Sequence, residues 1–369
     1  MKSELINTTY LEVNKVKRTR SSKHSAVYLR IAGLLIAMLL ISTSLLCLTA
    51  CGAPKDEPVT FADARFETAF RETYGFDNNT IYMSDILKFT ELDLSSQDLS
   101  DIVDIAMFAN LTKLDLSWNN ISDISALSKL TRLTDLELAY NNISNISALT
   151  KLTKLTTLGL GENENISDIS ALSKLTKLTE LDLSYNRNIN NMSTLSTLTN
   201  LTCLWLYYSN ISDLSPLSNL TNLTELSLSR NYDISDISAL SKLTKLTELN
   251  LDFNNINDIS PLKNLTNLTE LWLGFNNISD LSALSNLTNL TFLDLTNVGI
   301  SDVDALANVL TGLTKLTELH LSQNKDITDA TPLYNFTNLK TLTLDFTGLS
   351  DSQIAELQSH LPNCSINEY

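Results

Sequence analysis

The sequence predicts a solenoid, with a curved parallel β-sheet on the concave face, short 3-10 turns on the convex face and a helical cap at each end. Three observations predict it. A phrase of the form L-T-x-L-x-L-x-x-N-x-I-x-D-I-x-x-L-x-x-L-T-x returns about every 22 residues from Phe89 onward. Its L-x-L pair has the period of two that puts both leucines on one side of a strand. Its later apolar residues, such as Ile121, Ile124, Leu127 and Leu130, recur every three, which suits a 3-10 turn better than a second strand. A repeat overrides the two-domain expectation for a chain of 369 residues, because each unit can bury its apolar face only against its neighbours.

Charge narrows the partners. The net charge is -16, and residues 1–50 hold seven Lys/Arg against two Asp/Glu, leaving 19 basic and 40 acidic residues in the rest. So acidic a body repels phosphate backbones, and nucleic acid is excluded as a partner class. Four cysteines are too few for a disulfide scaffold. Cys203 and Cys364 lie seven units apart, about 30 Å or more at the spacing of stacked strands, so both are expected to be free.

The chain opens on a basic segment with Lys2, Lys15, Lys17, Arg18, Arg20, Lys23 and Arg30, followed by an uncharged run from Ile31 to Ala50. That is the pattern of an export signal. The run ends Leu48-Thr49-Ala50-Cys51-Gly52, which resembles a bacterial lipobox. The resemblance implies that 1–50 is a lipoprotein signal peptide, that Cys51 is the lipid attachment site, and that 51–58 is a lipidated tether. Two acyl chains are enough for stable anchoring. An uncleaved membrane anchor is the alternative, since 20 uncharged residues can span a bilayer. Both readings put the rest of the chain on the extracellular face of the cell membrane.

Residues 59–88 read as a helical N-terminal cap. Phe66, Ala69 and Phe70 share one stripe of a helix over Phe61 to Tyr74, and Gly75 stops it. Such a helix covers the first coil, whose core and strand edge are otherwise open to water. The cap, the Thr80-Ile81-Tyr82-Met83-Ser84-Asp85 segment, the 22-residue period and the I-S-D-I-S-x-L phrase are together similar to the bacterial internalin-type leucine-rich repeat proteins. The resemblance covers residues 58 to about 350. It implies the fold, and it leaves the ligand open.

Leucine-rich repeats fill 89–338, and 339–369 holds the last repeat and a C-terminal cap. Twelve strand leucine pairs run from Leu92/Leu94 to Leu342/Leu344. Units 155–177, 178–200 and 223–245 carry one extra residue and 290–315 carries four, and these should bulge on loops. The Asn after each strand (Asn119, Asn141, Asn163, Asn186, Asn231, Asn254, Asn276 and Asn324) can satisfy backbone groups buried where the chain leaves the strand. The Asp of I-S-D is expected to cap the convex turn, with a calcium ladder as the alternative. Gln353 to Leu361 reads as a closing helix stopped by Pro362, and Ile366 as one last strand-like contact.

Catalysis finds little support. The histidines are His24, His320 and His360, and His320 lies five units from Cys203. No phosphate loop, metal-ligand spacing or cofactor motif is present. The concave face is the informative surface. Glu91, Asp135, Glu180, Glu225, Glu248, Glu270 and Glu318 precede the buried leucines and form an acidic ridge. Two residues past the second leucine stand Trp118, Tyr140, Tyr185, Tyr208, Phe253, Phe275 and Phe346, in a chain that is 7% aromatic. These rings either shield the Asn ladder or meet a ligand. The unit 201–222 departs most from the phrase, with Trp205, Tyr207, Tyr208 and Ser209 in place of Asn. We take Trp205, Tyr207, Tyr208, Arg230, Phe253, Glu270, Trp272, Phe275 and Phe292 as the ligand-binding residues. Aromatic anchors with an acidic rim suit a binding groove. The reading is a monomeric, non-catalytic surface lipoprotein that binds an extracellular protein. A glycan or cell-wall polymer, or no ligand at all, are the alternatives.

Overall fold

A computed structural model describes residues 56–189 and 191–367; the predicted signal peptide and Cys51 lie outside them. Each leucine pair begins on a three-residue strand centred on its first leucine. The series runs from β1 (Glu91–Asp93) through β5 (Glu180–Asp182), β6 (Cys203–Trp205), β7 (Glu225–Ser227), β8 (Glu248–Asn250), β9 (Glu270–Trp272), β10 (Phe292–Asp294) and β11 (Glu318–His320) to β12 (Thr341–Thr343). A thirteenth strand, β13 (Ser365–Asn367), pairs Ile366 with Leu342. All neighbours are parallel and follow sequence order in one sheet. One unit illustrates the core: Leu136, Leu138, Ile143, Ile146, Leu149, Leu152 and Leu155 are each at most 2% exposed. Full burial of such side chains contributes roughly 1.5–3 kcal/mol apiece. None of it is available to a unit without neighbours.

Convex turns are 3-10, such as Ser125–Lys129 and Ser238–Lys242. The Asp of I-S-D accepts the first N–H of the turn: Ser125 N donates to Asp123 and Ser238 N to Asp236, both at 2.8 Å. These bonds favour the carboxylate, so Asp168, Asp213, Asp236, Asp280 and Asp329 are held below the ordinary carboxylate range. The capping role therefore holds.

The Thr of L-T-x-L forms a ladder that the sequence reading did not assign. Thr134 Oγ1 donates to Thr112 O at 3.0 Å, and Thr156 and Thr179 each bond the Thr of the preceding unit at 3.1 Å. Asparagines form a second ladder at the strand exit. Asn276 Nδ2 reaches Leu251 O and Leu273 O at 2.9 Å, and its Oδ1 accepts Ile256 N at 3.0 Å. In three of the four units whose Asn is replaced, by Gln97, Ser209 and Val298, the next residue turns left-handed: Asp98, Asn210 and Gly299 have φ of 54°, 56° and 85°. The next unit's Asn then takes the redirected N–H groups. Asn231 Oδ1, for example, accepts both Ser209 N and Ile211 N at 3.0 Å.

Single insertions bulge just after the ladder Asn, as anticipated. Ile166 N closes onto Asn163 O and Ile234 N onto Asn231 O, both at 2.9 Å. One consequence is local. The Ile166 N–H that would meet Asn186 Oδ1 is turned away, and that oxygen is buried without a partner. The four-residue insertion behaves differently from the expected loop bulge. It extends the convex turn into an α-helix, Val303–Leu310, because Asp302 caps Ala305 N and Val303, Leu306 and Leu310 bury one face.

Both ends are covered. The N-terminal helix α1 (Ala64–Tyr74) buries Phe66, Ala69 and Phe70, and ends at Gly75 with φ 73°. It starts three residues after Phe61 because Asp63 caps Phe66 N and because Asp104, from the first convex turn, accepts the N–H groups of Ala62 and Asp63. Phe70 packs edge-on to Phe89 and Phe108 at 5.3 and 5.2 Å. Tyr74 Oη accepts Asp93 N at 2.7 Å, closing a donor on the open edge of β1. A short helix α2 (Met83–Ile86) follows, and the insertion helix (Val303–Leu310) is α3 in chain order. At the other end α4 (Asp351–His360) is capped by Ser350 and Gln353, two residues ahead of the predicted start. Cys203 and Cys364 are both free.

The Asn ladder is the stability-determining feature most open to test. Asn276→Ala leaves two carbonyls and one N–H buried and unpaired, at about 1–3 kcal/mol for each group not rescued by water. Denaturant unfolding of this variant should show a loss in that range, whereas Asn277→Ala on the exposed loop should change stability by less than about 0.5 kcal/mol.

Candidate functional site

Each strand sends its flanking residues to the concave face and its leucines inward. Register then turns the sequence into rows. Trp205, Ser227, Asn250, Trp272 and Asp294 are neighbours in one row, and Glu225, Glu248, Glu270 and Phe292 in the adjacent one. Trp205 and Trp272 therefore stand three strand spacings apart, about 14 Å, with the small Ser227 and Asn250 between them. Trp205 Nε1–H donates to Glu225 at 2.6 Å, which fixes the indole on its side of the trough. Trp272 packs instead on Phe292, with ring centres 4.7 Å apart, and Phe292 on His320 at 5.1 Å. His320 in turn meets Glu318 at 2.9 Å.

The aromatic row has a backbone cause that the sequence alone does not display. All twelve residues two past the second leucine are left-handed, with φ from 51° to 63°, and none is glycine. The conformation costs a bulky residue roughly 1–2 kcal/mol, where Gly or Asn is favoured. It swings the side chain across the strand exit, where rings of adjacent units meet. Trp118 and Tyr140 stack at 3.6 Å, and Phe253 and Phe275 at 4.0 Å. Stacking recovers roughly 0.5–1.5 kcal/mol per pair. Several rings stay open to solvent: Trp118 is 50% and Phe346 67% exposed.

The nine predicted site residues fall into three groups. Tyr207, Tyr208, Arg230, Phe253 and Phe275 form a strip along the strand exits. The Arg230 guanidinium sits 4.5 Å over the Phe253 ring and 5.9 Å from that of Tyr207. Trp272 and Phe292 form a second group. Trp205 and Glu270 stand on the trough edges, and all nine are half-buried. Sequence reasoning left out Arg187 and Tyr232. Both lie in loops lengthened by one residue, on either side of the unit 201–222. Arg187 sits 4.6 Å over Tyr208, and Tyr232 meets the same ring edge-on at 6.2 Å. The extra residues at 186–189 and 231–234 were the available signal.

Burial pushes the Tyr185 and Tyr207 hydroxyls above the ordinary range; neighbouring groups add to the rise at Tyr185, whereas Tyr185 and Arg230 oppose it at Tyr207. Burial likewise raises the Cys203 thiol, with Glu225 and Glu180 adding to the effect, so it is a poor nucleophile. Glu162 occupies the aromatic slot between Tyr140 and Tyr185. Burial first, then the charges of Glu164 and Asp182, push it up to about 7. A carboxyl raised on folding favours the protonated protein, so its contribution to stability is lost as pH rises from its ordinary value through about 7. Glu162→Gln should melt higher than the parent at pH 8 and together with it at pH 4, by calorimetry.

These features have counterparts in known proteins. The leucine-rich repeat family, taken two copies at a time, matches residues 109–151, 131–174, 153–198, 199–242, 221–264 and 266–308. A single leucine-rich repeat matches 312–330. An internalin (inlF) from Listeria monocytogenes is 38% identical over 83% of this chain and 88% of its own, with a TM-score of 0.76. An internalin C2 (inlC2) from the same organism is 34% identical over 67% of this chain and 100% of its own, with a TM-score of 0.50. No curated protein matches. With two thirds of its length and more aligned to such a relative, and its repeats matched from 109 to 330, this chain belongs to the internalin-type leucine-rich repeat proteins.

Proposed function

We propose that the protein is a non-catalytic recognition protein, lipid-anchored through Cys51 on the extracellular face of a bacterial cell membrane, that binds a protein partner on its concave face. The observation that carries this reading is the run of half-buried aromatics from Tyr207 to Phe292 on one open sheet face. Such rings offer apolar area at low entropic cost, and a trough between Trp205 and Trp272 gives a partner loop somewhere to seat. Glu225, Glu248 and Glu270 line one side of that trough and favour basic groups on the partner. Recognition rather than catalysis fits His320 and Cys203, which stand five strands apart.

Two measurements test the two halves of the proposal. Trp205→Ala with Trp272→Ala should weaken binding of the chain to target cells by at least about a hundredfold, as removal of two anchors of about 2 kcal/mol each implies. Unchanged binding sinks the concave site, and binding to purified polysaccharide that the same variant abolishes moves the partner from protein to glycan. Cys51→Ala should abolish metabolic labelling with a fatty acid and shift the protein out of the membrane fraction. Continued lipid labelling removes the anchoring assignment.

A further inference from the structure

Arginine is scarce in this acidic chain, and its placement is uneven. Among the described residues there are five arginines. Arg65 and Arg71 pair with Asp98 and Glu67, and Arg132 bonds the Asn110 side chain. Arg187 and Arg230 have no carboxylate within ion-pair distance among the described residues, although acidic residues outnumber basic ones by 40 to 19 beyond residue 50. Both lie instead on aromatic rings, over Tyr208 and over Phe253. They belong to the lengthened units 178–200 and 223–245, which flank the aromatic unit 201–222. Between them Tyr185, Tyr207 and Tyr208 are in mutual ring contact, at 4.9 to 6.3 Å. Arg230 interacts with the Tyr207 hydroxyl.

A guanidinium on a ring keeps its N–H edge free for an acceptor in the ring's own plane of approach, and the ring holds it without neutralising it. Ser229 Oγ and Arg230 Nε are enclosed by the protein without a partner, so an acceptor meets this guanidinium from its terminal nitrogens.

Resting on the concave-face reading above, we infer that Arg187 and Arg230, with the tyrosines between them, form a carboxylate-binding site that receives an Asp or Glu side chain of the protein partner. The rest of the face selects the source of that carboxylate. Glu225, Glu248 and Glu270 stand in consecutive strands beside the site, so a polyanion that presents charge along its whole length is repelled. A folded protein can set carboxylates against the arginines and basic side chains against the glutamates. The partner surface therefore carries mixed charge, acidic at the strand-exit edge and basic at the strand-start edge.

The test follows the arginine side chains directly. The full chain in detergent micelles, labelled with 15N-arginine, is titrated with the peptide acetyl-Lys-Glu-Lys-amide, with acetyl-Lys-Gln-Lys-amide and with a heparin octasaccharide. Single Arg→Gln variants assign the signals. With the Glu peptide, the Nε–H signals of Arg187 and Arg230 should shift while those of Arg65, Arg71 and Arg132 stay. The Gln peptide should bind about tenfold or more weakly, the effect of losing one charge-assisted hydrogen bond. Static Arg187 and Arg230 signals, equal response to the Gln peptide, or tighter binding of heparin than of the Glu peptide each overturns the inference. The wild-type titration decides the matter even if a variant misfolds. A chain that binds cells through Trp205 and Trp272 yet shows static arginine signals loses this inference alone. Shifting signals in a chain whose cell binding ignores the tryptophans lose the concave-face proposal instead.

Discussion

Everything in this molecule hangs on hydrogen bonds that run from one unit to the next at the strand exit. The chain leaves each short strand inside the body, where water cannot reach its carbonyls. In eight of the twelve units an Asn amide answers for its own unit and the one before, as Asn163 does for Leu160 O and Leu138 O, both at 3.0 Å. Because each amide spans two units, the bonds propagate order along the sheet as well as closing local groups. The Thr ladder repeats the arrangement at the strand start. Leucine burial supplies the larger energy, but it is non-directional; the two ladders hold the register in which leucine can stack on leucine.

The same exit creates the binding face. A left-handed residue is required twelve times. Glycine would meet the requirement without strain. This chain uses aromatic or charged residues at most of those positions, and pairs such as Trp118 with Tyr140 and Phe253 with Phe275 stack between units. The conformational cost and the stacking gain are of similar size, near 1 kcal/mol each. Aromatic identity in this row is thus close to neutral for stability, which leaves the row free to vary with what it meets. The concave face can change its ligand without rebuilding the solenoid.

Length variation shapes the face as much as residue identity. Inserted residues leave the strands intact and move the loop beside them. In units 178–200 and 223–245 this brings Arg187 and Tyr232 onto the two sides of Tyr208. In unit 155–177 it leaves Asn186 Oδ1 without a partner. Four extra residues go further and complete a helix on the convex side. A solenoid tolerates such changes because each is felt mainly by adjacent units.

Much of this was legible in the residues. The L-x-L period specifies which side chains are interior, since a strand alternates and offers no third direction, and the three-residue spacing specifies the convex turns. Asn119 and its equivalents could be assigned to the backbone because a polar residue recurring among leucines must satisfy something buried. Gly75 marks its helix end by chemistry that acts within a few residues, whereas the caps Asp63 and Ser350 escape the sequence reading, and both helix starts fall two or three residues from the predicted ones. What the tertiary structure alone decided depends on contacts between units. The left-handed φ shared by Trp118, Glu162, Arg230 and Asn297 follows from the ladder bonds that surround them, and residues so unlike in propensity carry no common local signal. The separation of Trp205 from Trp272 depends on register, counted in strands. Arg187 and Arg230 rest on rings of another unit, and nothing within four residues of either foretells it. Local periodicity determined the body of the protein; cross-unit contacts decided which of its exposed groups stand together.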